Sequence, residues 1–424
     1  MKKAHSVKKR KRQRNIRKSD NQIIIKKTCK RERLNLRLID THQNSGSSRL
    51  PECKHGPCLL FSNEDGTKKW FACSVFRSRK RCAFSVTIHQ NGVLQPYKAE
   101  EAIESLPIEE YGKARKGYEN LVKSGAKIFW WCKCCANYFG SEKHDHKLSG
   151  PYSEWKKPLE LLDPLQDDAG EAQYFFSSET VDLLSNVIEA EHFDSLLCIG
   201  VPTIFEHFKG SNIKTFLLDY DDRLAHFYGP DEFARFSMLV CHFFLSISRN
   251  HLLEFFRGSQ KLLCLCDPPF GVHVSALMQT LSLLRGMFCS VSAQQQNSVF
   301  NVILFLPYFV GKHLKEHPLT MVDFKVTYSN HRHFSRPPKS IVRMFTDIPN
   351  CLFVLPTKDG YHFCEQCNRF VSEQNKHCWK CGECTSKDGT PFFHCNRCSR
   401  CVRQTYKHCA KCSSCHLKNR CFKE

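Results

Sequence analysis

The sequence lacks long apolar runs, and no stretch reaches the roughly 18 consecutive apolar residues that a membrane-spanning helix needs. The first residues form no apolar signal segment and are instead rich in lysine and arginine. These absences predict a chain that has no membrane partner and is not exported. At 424 residues and 41% apolar composition, the chain is long enough for two or three domains with a sizeable core.

Acidic residues are scarce relative to basic ones, with 42 Asp and Glu against 63 Lys and Arg, which gives a formal net charge of +21. Residues 1–38 hold 16 Lys and Arg but only Asp20 and Glu32. The run from Lys8 to Arg12 is typical of a nuclear or nucleolar address, of a phosphate-binding arm, or of both. A solvated disordered tail is the alternative. We predict a basic disordered arm over 1–50 and a nuclear or nucleolar location, with the cytoplasm as a second location.

The 26 cysteines do not follow the pattern of a secreted disulfide protein, because they cluster as Cys-x-x-Cys units interleaved with histidine. This arrangement favours Zn²⁺ in a reducing compartment. The segment from Cys364 onward consists of one Cys-x-x-Cys unit, three copies of His-Cys-x-x-Cys-x-x-Cys, and a final His and Cys. Its candidate ligands fill four tetrahedral zinc sites, without indicating which ligand belongs to which zinc: Cys364, Cys367, His377, Cys378, Cys381, Cys384, His394, Cys395, Cys398, Cys401, His408, Cys409, Cys412, Cys415, His416 and Cys421.

Two further clusters precede the middle of the chain and bring the expected total to about six zinc ions. The first has Cys53, His55, Cys73 and Cys82 as candidate ligands, with Cys58 as a competitor. The second has the candidate ligands Cys132, Cys135, His144 and His146, with Cys134 as a substitute for one histidine. Trp130 and Trp131 precede the second cluster, where buried packing competes with base stacking as their role.

Residues 160–350 contain few Cys-x-x-Cys pairs and alternate short apolar runs with helical segments such as 276–288. This pattern predicts a parallel sheet that is covered on both faces. In such sheets, ligands bind beyond the carboxyl ends of the strands. The predicted strands are 195–200, 214–221, 260–267, 299–306, 324–329 and 341–346.

Three predicted strand ends carry residues suited to a binding site. Gly200 ends the first strand and permits close approach of the backbone to a ligand, although a glycine-rich loop is lacking. Asp219 follows 19 residues later, where nucleotide-type sites commonly place an acid that binds ribose hydroxyls. By itself this pair is a weak signal.

The third strand is followed by Asp267, Pro268, Pro269 and Phe270. The prolines fix φ and remove two N–H donors, so the segment presents carbonyl oxygens and a carboxylate as a rigid set of acceptors beside a flat ring. This set suits a planar group that bears an NH₂: both amino hydrogens are accepted, and the ring stacks on Phe270. The alternative is an Asp-Pro-Pro turn that only caps the strand.

The Asp-Pro-Pro-Phe motif resembles the catalytic motif of class I S-adenosylmethionine-dependent amino methyltransferases. The order of two Cys/His clusters, a methyltransferase region and a Cys/His tail resembles that of the zinc-finger CCHC-type ribosomal RNA adenine-N6 methyltransferases. This resemblance implies an α/β fold with a Rossmann-like class I methyltransferase sheet, flanked by small zinc-bound domains. The implied boundaries are 51–95 for a GRF-type finger, 96–150 for a connector and C2H2-type finger, 151–355 for the methyltransferase domain, and 356–424 for the CCHC-type tail.

The same resemblance implies S-adenosylmethionine as cofactor and assigns roles to individual residues. Asp267, Pro268, Pro269 and Phe270 become the catalytic residues. Segments 221–228, 305–309 and 329–334 also resemble family segments, without a specific role. The basic residues of the first finger, Arg77, Arg79, Lys80 and Arg81, form either a phosphate-binding knob or a solvated loop. The implied cofactor contacts are Gln173, Tyr174, Phe175, Phe176, Ser177, Gly200, Asp219, Met238 and Asp267.

The activity implied is methyl transfer to N6 of an adenosine in structured RNA, most simply large-subunit ribosomal RNA. The motif alone also admits DNA adenine, cytosine N4 or a protein amide as acceptor. A non-catalytic RNA-binding scaffold with a decayed methyltransferase fold is the alternative from another class. The tail distantly resembles the cysteine-rich domain of protein acyltransferases, but the Asp-His-His-Cys nucleophile of those enzymes is lacking.

Overall fold

The computed structural model describes residues 37–38, 50–63, 65–76, 78–89, 91–101, 103–165, 173–292 and 297–421. Most of the predicted basic arm lies outside these residues, and so does Arg77 of the predicted knob. The described chain forms two small N-terminal modules, a central α/β domain and a Cys/His-rich tail, in that order.

Two small antiparallel modules precede the central domain. The first contains five strands: β1 (Arg37–Leu38), β2 (Glu52–Cys53), β3 (Gly56–Ser62), β4 (Lys69–Cys73) and β5 (Ser85–Ile88). The second contains one helix and three strands: α1 (Lys113–Lys123), β6 (Phe129–Cys132), β7 (Asn137–Phe139) and β8 (Leu148–Tyr152). Trp131 of β6 is 1% exposed, and its ring centroid lies 4.9 Å from that of Phe227 in the central domain. Buried packing is therefore the role of Trp131, whereas Trp130 is half-buried.

The central domain alternates helices with strands: α2 (Pro158–Leu161), α3 (Ser178–Ala190), β9 (Ser195–Ile199), α4 (Pro202–Phe208), β10 (Lys214–Asp219), β11 (Phe233–Ser237), β12 (His242–Phe243), α5 (Ser246–Arg257), β13 (Lys261–Cys266), α6 (Val274–Ser292), β14 (Val299–Pro307), β15 (Thr320–Val322) and β16 (Val342–Thr346). These strands form one sheet in the order β12-β11-β10-β9-β13-β14-β16-β15. The five strands from β11 to β14 in this order are parallel, and the outer pairings are antiparallel. The predicted α/β fold class is confirmed, with antiparallel strands added at both sheet edges.

The sheet is covered on both faces because its apolar side chains alternate in direction. Leu196 and Cys198 of β9 face a cluster that includes residues of α3, α4 and the second N-terminal module. Leu197 and Ile199 face the opposite cluster, with residues of α5 and α6. Burial on both faces explains why these strands are continuous apolar runs in the sequence.

One of the predicted strands, 324–329, is wrong. Within it the structure has only an isolated bridge between Tyr328 and Phe176. The chain here is held by contacts on several sides: the backbone N–H of Val326 donates to the Val342 carbonyl, and that of Lys325 donates to the Tyr361 hydroxyl of the tail. These different partners prevent the regular pairing that a strand requires.

Helix α6 extends over more residues than the predicted 276–288 and has the length and composition of a membrane span. Its apolar residues, among them Leu277 and Leu284, are buried against the sheet. A core helix of a soluble protein passes the same test, so this helix is weak evidence for a membrane.

The tail is a chain of four two-stranded hairpins. Their strands are β17 (Tyr361–Cys364), β18 (Arg369–Ser372), β19 (His377–Cys378), β20 (Glu383–Cys384), β21 (Phe392–Cys395), β22 (Arg400–Arg403), β23 (Lys407–Cys409) and β24 (Ser414–His416). Short 3₁₀ helices complete the described elements: Ile108–Glu110, Asp222–His226, Tyr308–His313, Pro337–Lys339, Asn350–Leu352, Thr357–Asp359 and Glu365–Cys367. Each hairpin pairs only with itself, so side-chain ligands rather than a shared sheet must connect them.

Candidate active site and metal centres

Four neighbouring strands end at one edge of the central sheet, and each ends at or next to a residue named from the sequence. In the order β11, β10, β9, β13, these residues are Met238, Asp219, Gly200 and Asp267. The chain continues from β9 to β10 on one side, while β13 lies on the other side of β9. This is the topological switch point of the sheet, where open α/β sheets bind their ligands.

Gly200 occupies a position that favours glycine for two reasons. Its φ of +65° is left-handed, and a Cβ atom there would lie 3.1 Å from the Asp267 carbonyl oxygen and 3.2 Å from Met238 Cε. A side chain would therefore push apart the loops that follow β9, β11 and β13. Without one, a ligand can approach the backbone closely.

Asp219 ends β10 at the same edge and is half-buried as a residue. The backbone N–H of Asp221 donates to its Oδ1 at 2.9 Å. Burial raises the pKa of Asp219 to about 7, and the neighbouring Asp221 carboxylate adds a smaller effect in the same direction. A poorly solvated carboxylate is a strong acceptor for hydroxyl donors, so Gly200 and Asp219 fit a ligand of nucleoside type.

The Asp-Pro-Pro-Phe segment forms a sharp corner after β13. The Asp267 N–H donates to the Ile199 carbonyl at 3.1 Å, and the Pro269 carbonyl accepts from the Val272 N–H at 3.1 Å. Gly271 has a φ of +83°, which lets the chain turn towards α6. The Pro268 carbonyl accepts no hydrogen bond from the described residues. It is therefore left for an external donor.

Tyr328 donates a hydrogen bond from its hydroxyl to Asp267 Oδ1 at 3.1 Å. Oδ2 of the same carboxylate has no hydrogen-bond partner among the described residues. Burial raises the pKa of Asp267 well above its ordinary value, and the Tyr328 hydrogen bond opposes this rise. The Tyr328 hydroxyl thus supports the ionised form of Asp267 and leaves one of its oxygens available.

Aromatic rings line the corner around Asp267. The Phe270 ring is stacked with Tyr174, with centroids 6.0 Å apart and an interplanar angle of 21°. It also meets Tyr328 at 6.3 Å and Phe334 at 5.7 Å, both edge to face. The acceptors of the Asp267 corner therefore adjoin an aromatic wall that can hold a planar base.

Two segments that the sequence treated separately form one unit beside this wall. The Ser329 N–H donates to the Phe175 carbonyl at 2.8 Å, and the Ser177 N–H donates to the Thr327 carbonyl at 3.0 Å. The Asn330 side chain accepts from the Phe175 N–H at 2.9 Å and donates to the Gln173 carbonyl at 3.0 Å. Segment 173–177 is thus positioned by segment 327–330.

Within segment 173–177, the structure distinguishes framework residues from those near the site. Phe176 is buried against Phe305 and Tyr328, and the Ser177 side chain caps the N-terminus of α3. Tyr174 faces the wall with Phe270, while Gln173 and Phe175 contribute the backbone bonds to Asn330. The assignment of all five as cofactor contacts stays a prediction.

His331 completes the aromatic wall, and its hydrogen bonds favour one tautomer of the neutral ring. Its Nδ1 accepts from the backbone N–H groups of His333 at 2.9 Å and Phe334 at 3.0 Å, so the proton of the neutral ring is on Nε2. Burial lowers the pKa of His331, and His333 adds to this effect. The ring lies between Tyr174, at 4.3 Å, and Phe334, at 4.1 Å. No role was predicted from the sequence for Tyr328 or His331. Tyr328 lies in the segment that was wrongly predicted to be a strand. His331 lies in segment 329–334, which resembles a family segment but received no specific role.

Both N-terminal clusters have the ligand sets predicted from the sequence. Ligand atoms of Cys53, His55, Cys73 and Cys82 lie within 4.8 Å of one another, as do those of Cys132, Cys135, His144 and His146. Four such atoms around one point fit a closed tetrahedral metal site, in which two sulfurs lie about 3.8 Å apart. The competing ligands Cys58 and Cys134 do not belong to these groups.

In the tail, one metal site takes its ligands from two neighbouring hairpins, an arrangement that the sequence repeat does not reveal. Each of the first three tail sites takes a Cys-x-x-Cys pair from one hairpin, and a His and a Cys that are cross-strand partners from the next hairpin. The first three groups are Cys364, Cys367, His377, Cys384; Cys378, Cys381, His394, Cys401; and Cys395, Cys398, His408, Cys415. Cys409 Sγ lies 3.8 Å from Cys421 Sγ, and Cys409 also contacts His416. Each His-Cys-x-x-Cys-x-x-Cys repeat thus belongs to two metal sites, which connect the hairpins into one chain.

The residue after the second cysteine of each pair turns the chain back towards the site. This residue has a left-handed φ of between +47° and +69° after Cys135, Cys367, Cys381, Cys398 and Cys412. The turn points neighbouring backbone N–H groups at a sulfur: the Cys135 N–H, for example, lies 3.4 Å from Cys132 Sγ. These residues are Ala136, Asn368, Gly382, Ser399 and Ser413.

The shared arrangement predicts which ligands lose their metal together. Replacing His394 with alanine is expected to release one metal ion from the Cys378, Cys381 and Cys401 site, and to leave the adjacent Cys395 and Cys398 bound. Native mass spectrometry gives the metal count, and alkylation of the freed thiols followed by peptide mapping gives their identity. Alkylation of Cys395 and Cys398 in place of Cys378 and Cys381 would contradict the assignment.

The predicted basic knob of the first module is only partly open to solvent. Arg79 and Lys80 are exposed, whereas the Arg81 guanidinium lies over the Phe76 ring at 4.7 Å. This module packs on the central domain close to the Asp-Pro-Pro-Phe corner, because Phe61 contacts His273 at a ring distance of 5.2 Å. The knob and the active-site corner therefore belong to one packed body.

Comparison with known proteins agrees with this geometry. A family model described as "Probable N6-adenine methyltransferase" matches residues 167–335. The human protein named rRNA N(6)-adenosine-methyltransferase ZCCHC4 is 31% identical over 370 residues, which cover 80% of this chain and 72% of the human protein. The proteins of the same name from Xenopus tropicalis and mouse are 32% and 29% identical, each over 77% of this chain and over 73% and 70% of the relative, respectively. With an α/β sheet, an Asp-Pro-Pro-Phe corner at its switch point and Cys/His clusters on both sides, this chain belongs to the family of the ZCCHC4-type rRNA N(6)-adenosine methyltransferases.

Proposed function

We propose that this chain transfers a methyl group from S-adenosylmethionine to N6 of an adenosine in ribosomal RNA, most simply that of the large subunit. The observation that carries the proposal is the acceptor pair formed by Asp267 and the Pro268 carbonyl beside the Phe270 ring, at the switch point of the sheet. Family membership supports the choice of an adenine amino group as acceptor.

The chain's own groups act by orienting the amine. The lone pair of an exocyclic amino group is delocalised into its ring and is a poor nucleophile. Hydrogen bonds from the two amino hydrogens to Asp267 Oδ2 and the Pro268 carbonyl localise this lone pair and aim it, which is positioning and electrostatic stabilisation. As the N–C bond forms and the S–C bond breaks, the nitrogen becomes cationic, and the carboxylate stabilises that charge until a proton is lost to solvent.

The site residues fit S-adenosylmethionine, which supplies an electrophilic methyl carbon when bound. Asp219 would accept from its ribose hydroxyls, and Gly200 would leave room for it against the backbone. Met238 lies 3.2 Å from the position of a Gly200 Cβ and would line the same pocket. Tyr174, which stacks with Phe270 in the aromatic wall, would contact the donor as well.

We propose that the Cys/His clusters hold about six structural zinc ions, because thiolate and imidazole groups in closed sets of four are the ligands of structural zinc. The zinc modules, the basic arm and the knob residues Arg79 and Lys80 would supply phosphate contacts and make binding depend strongly on salt. The run from Lys8 to Arg12 would direct the chain to the nucleus or nucleolus.

A transfer assay with purified components tests the proposal against its alternatives. The zinc-loaded chain is incubated with methyl-labelled S-adenosylmethionine and large-subunit ribosomal RNA, duplex DNA or ribosomal protein, and the products are digested and identified. We expect label in N6-methyladenosine from RNA. Label in N6-methyldeoxyadenosine, in N4-methylcytosine or in protein would change the acceptor. A chain that binds no S-adenosylmethionine by calorimetry would be the non-catalytic scaffold.

The Tyr328 hydrogen bond predicts a specific change in pH dependence. Asp267 must be ionised to accept both from Tyr328 and from the amine, so kcat/KM is expected to fall as pH falls through the Asp267 pKa. Tyr328→Phe removes a donor that stabilises the charged form, which raises this pKa and moves the acid limb of the profile to higher pH. Tyr118→Phe, in the second N-terminal module, is the control that should leave the profile unchanged. An unshifted acid limb in Tyr328→Phe would remove Asp267 as the titrating group.

A further inference from the structure

A groove of about 510 Å³ lies where the central domain meets the tail. One wall is the 3₁₀ helix Tyr308–His313, which follows β14, and the other is formed by the second and third hairpins of the tail. Because β14 is parallel to β13 and adjacent to it, this wall begins at the same sheet edge as the Asp267 corner. We call it the junction groove, and its main lining residues are Tyr308, Phe309, Lys312, Lys387, Phe392 and Arg400.

The two walls of the junction groove are fixed relative to each other. Asp323 of the central domain is fully buried, and its Oδ2 accepts from the Ser372 N–H at 2.8 Å and the Asn375 side chain at 3.1 Å. Arg403 of the tail donates to the Tyr308 hydroxyl at 3.0 Å. Buried polar bonds of this kind hold a junction in one geometry, so the groove is preformed.

The groove carries unpaired positive charge. Lys312, Lys387 and Arg400 are exposed, and the described residues give them no ion pair or hydrogen bond. Arg403 is paired with Asp388, so Glu383 is the remaining acid in the lining. Three unpaired cations outweigh this carboxylate and the single net negative charge of a zinc site that includes Cys381 and Cys401, so the lining is net positive and attracts a polyanion.

Exposed aromatic rings accompany this charge. Phe309 is 55% exposed, an unusual state for a phenyl group, and Phe392 lines the opposite wall. Cys381 also lines the groove, and its Cys-x-x-Cys unit presents Trp379, which is 76% exposed. Cations interleaved with accessible rings are the composition of sites for single-stranded nucleic acid, in which phosphates meet the cations and unstacked bases lie on the rings.

We propose that the junction groove binds a single-stranded RNA segment that flanks the target adenosine, with one base stacked on Phe309 and phosphates on Lys312, Lys387 and Arg400. This inference rests on the proposed function for the identity of the RNA, but its site is separate from the methyl-transfer corner. The groove would read an unpaired strand rather than a duplex, because stacked bases in a helix cannot reach the ring. It would therefore select adenosines in loops.

Binding measurements on the full, zinc-loaded chain test this inference without using turnover. The probe is a fluorescein-labelled single-stranded oligoadenosine of about 12 nucleotides, followed by anisotropy over a range of salt. Phe309→Ala is expected to weaken binding about 10-fold. The double variant Lys312→Ala with Arg400→Ala is expected to flatten the slope of log K against log salt by about 0.7 for each lost phosphate contact.

Phe393→Ala is the matched control, since this ring is 42% exposed and adjoins Phe392 in the same strand, where successive side chains point to opposite faces. It should bind the probe within about 2-fold of the unmodified chain. Equal losses in Phe309→Ala and Phe393→Ala, or no loss in either, would overturn the proposal. The proposal would also be overturned if the groove variants lost binding of an oligoglutamate probe but kept RNA binding, because the groove would then bind an acidic protein. Affinity for S-adenosylmethionine should be unchanged in every variant, which separates a failure of the groove from a failure of the active site.

Discussion

Replacing Asp267 with alanine is expected to abolish methyl transfer, with kcat lowered at least about 100-fold, while the affinity for RNA stays within a few fold of that of the unmodified chain. The carboxylate is the charged acceptor at the corner, and Oδ2 is its oxygen without a partner among the described residues. RNA affinity should persist because phosphate contacts are expected to dominate it, and we propose that these lie in the basic surfaces and zinc modules rather than at Asp267. Single-turnover transfer and filter binding on the same RNA measure the two quantities.

The Asp267→Ala result is informative only if the variant folds, and the structure predicts that it does. Burial raises the Asp267 pKa, so the charged side chain is poorly solvated; its removal should offset the loss of the Tyr328 hydrogen bond and change the melting temperature at pH 8 only slightly. Asp182→Ala, an exposed acid on α3, is the matched control and should retain activity. Methyl transfer by Asp267→Ala at a rate near that of the unmodified chain would remove this residue from the mechanism.

Removal of the metal ions is expected to unfold the whole tail, from about residue 361 onward, while the central domain stays folded. The hydrophobic clusters of the tail consist mainly of the ligand cysteines and one valine each, Val371 and Val402. Two-stranded hairpins with so little apolar burial are not stable alone, so metal binding must supply most of their folding free energy, on the order of 10 kcal/mol for each structural zinc. The central sheet has two large apolar clusters, which should keep it folded without the metal ions.

Limited proteolysis after treatment with a chelator measures this difference. Cleavage is expected throughout the tail, together with a resistant fragment that contains the central domain, and readdition of Zn²⁺ should restore resistance. Cys289→Ser is a suitable control for thiol chemistry, because this exposed cysteine belongs to none of the metal groups named above. A tail that resists protease after its metal has been removed would contradict the account.

The apolar pattern predicted most of the central sheet because a strand buried on both faces is a continuous apolar run. β11 was missed because Arg235 and Ser237 interrupt its run, although both are buried, and the Arg235 guanidinium lies over the Phe244 ring at 4.4 Å. The segment at Tyr328 was assigned to a strand because it is apolar and β-branched. Its actual conformation depends on partners that are distant in sequence, which local pattern cannot reveal.

The metal ligands of the tail were predictable as a set but not as individual sites. Spacing identifies a Cys-x-x-Cys pair because one tight turn brings both sulfurs to one metal. The remaining ligands come from the next hairpin: His377 and Cys384, for example, are cross-strand partners that complete the site of Cys364. The first and last residues of a repeat pair across a hairpin and complete the site of the preceding cysteine pair. The repeat in the sequence does not reveal this, because the assignment of ligands to sites depends on strand pairing. The same limitation hid Tyr328, the hydrogen-bond partner of Asp267.

We propose that the Asp267 corner methylates adenosine N6 in ribosomal RNA. Mass spectrometry of nucleosides tests this proposal on ribosomal RNA from matched cells with the chain, without it, and with its Asp267→Ala form. The N6-methyladenosine content of large-subunit RNA is expected to fall when the chain is absent, and only the unmodified chain should restore it. An unchanged N6-methyladenosine content in cells without the chain would contradict this proposal.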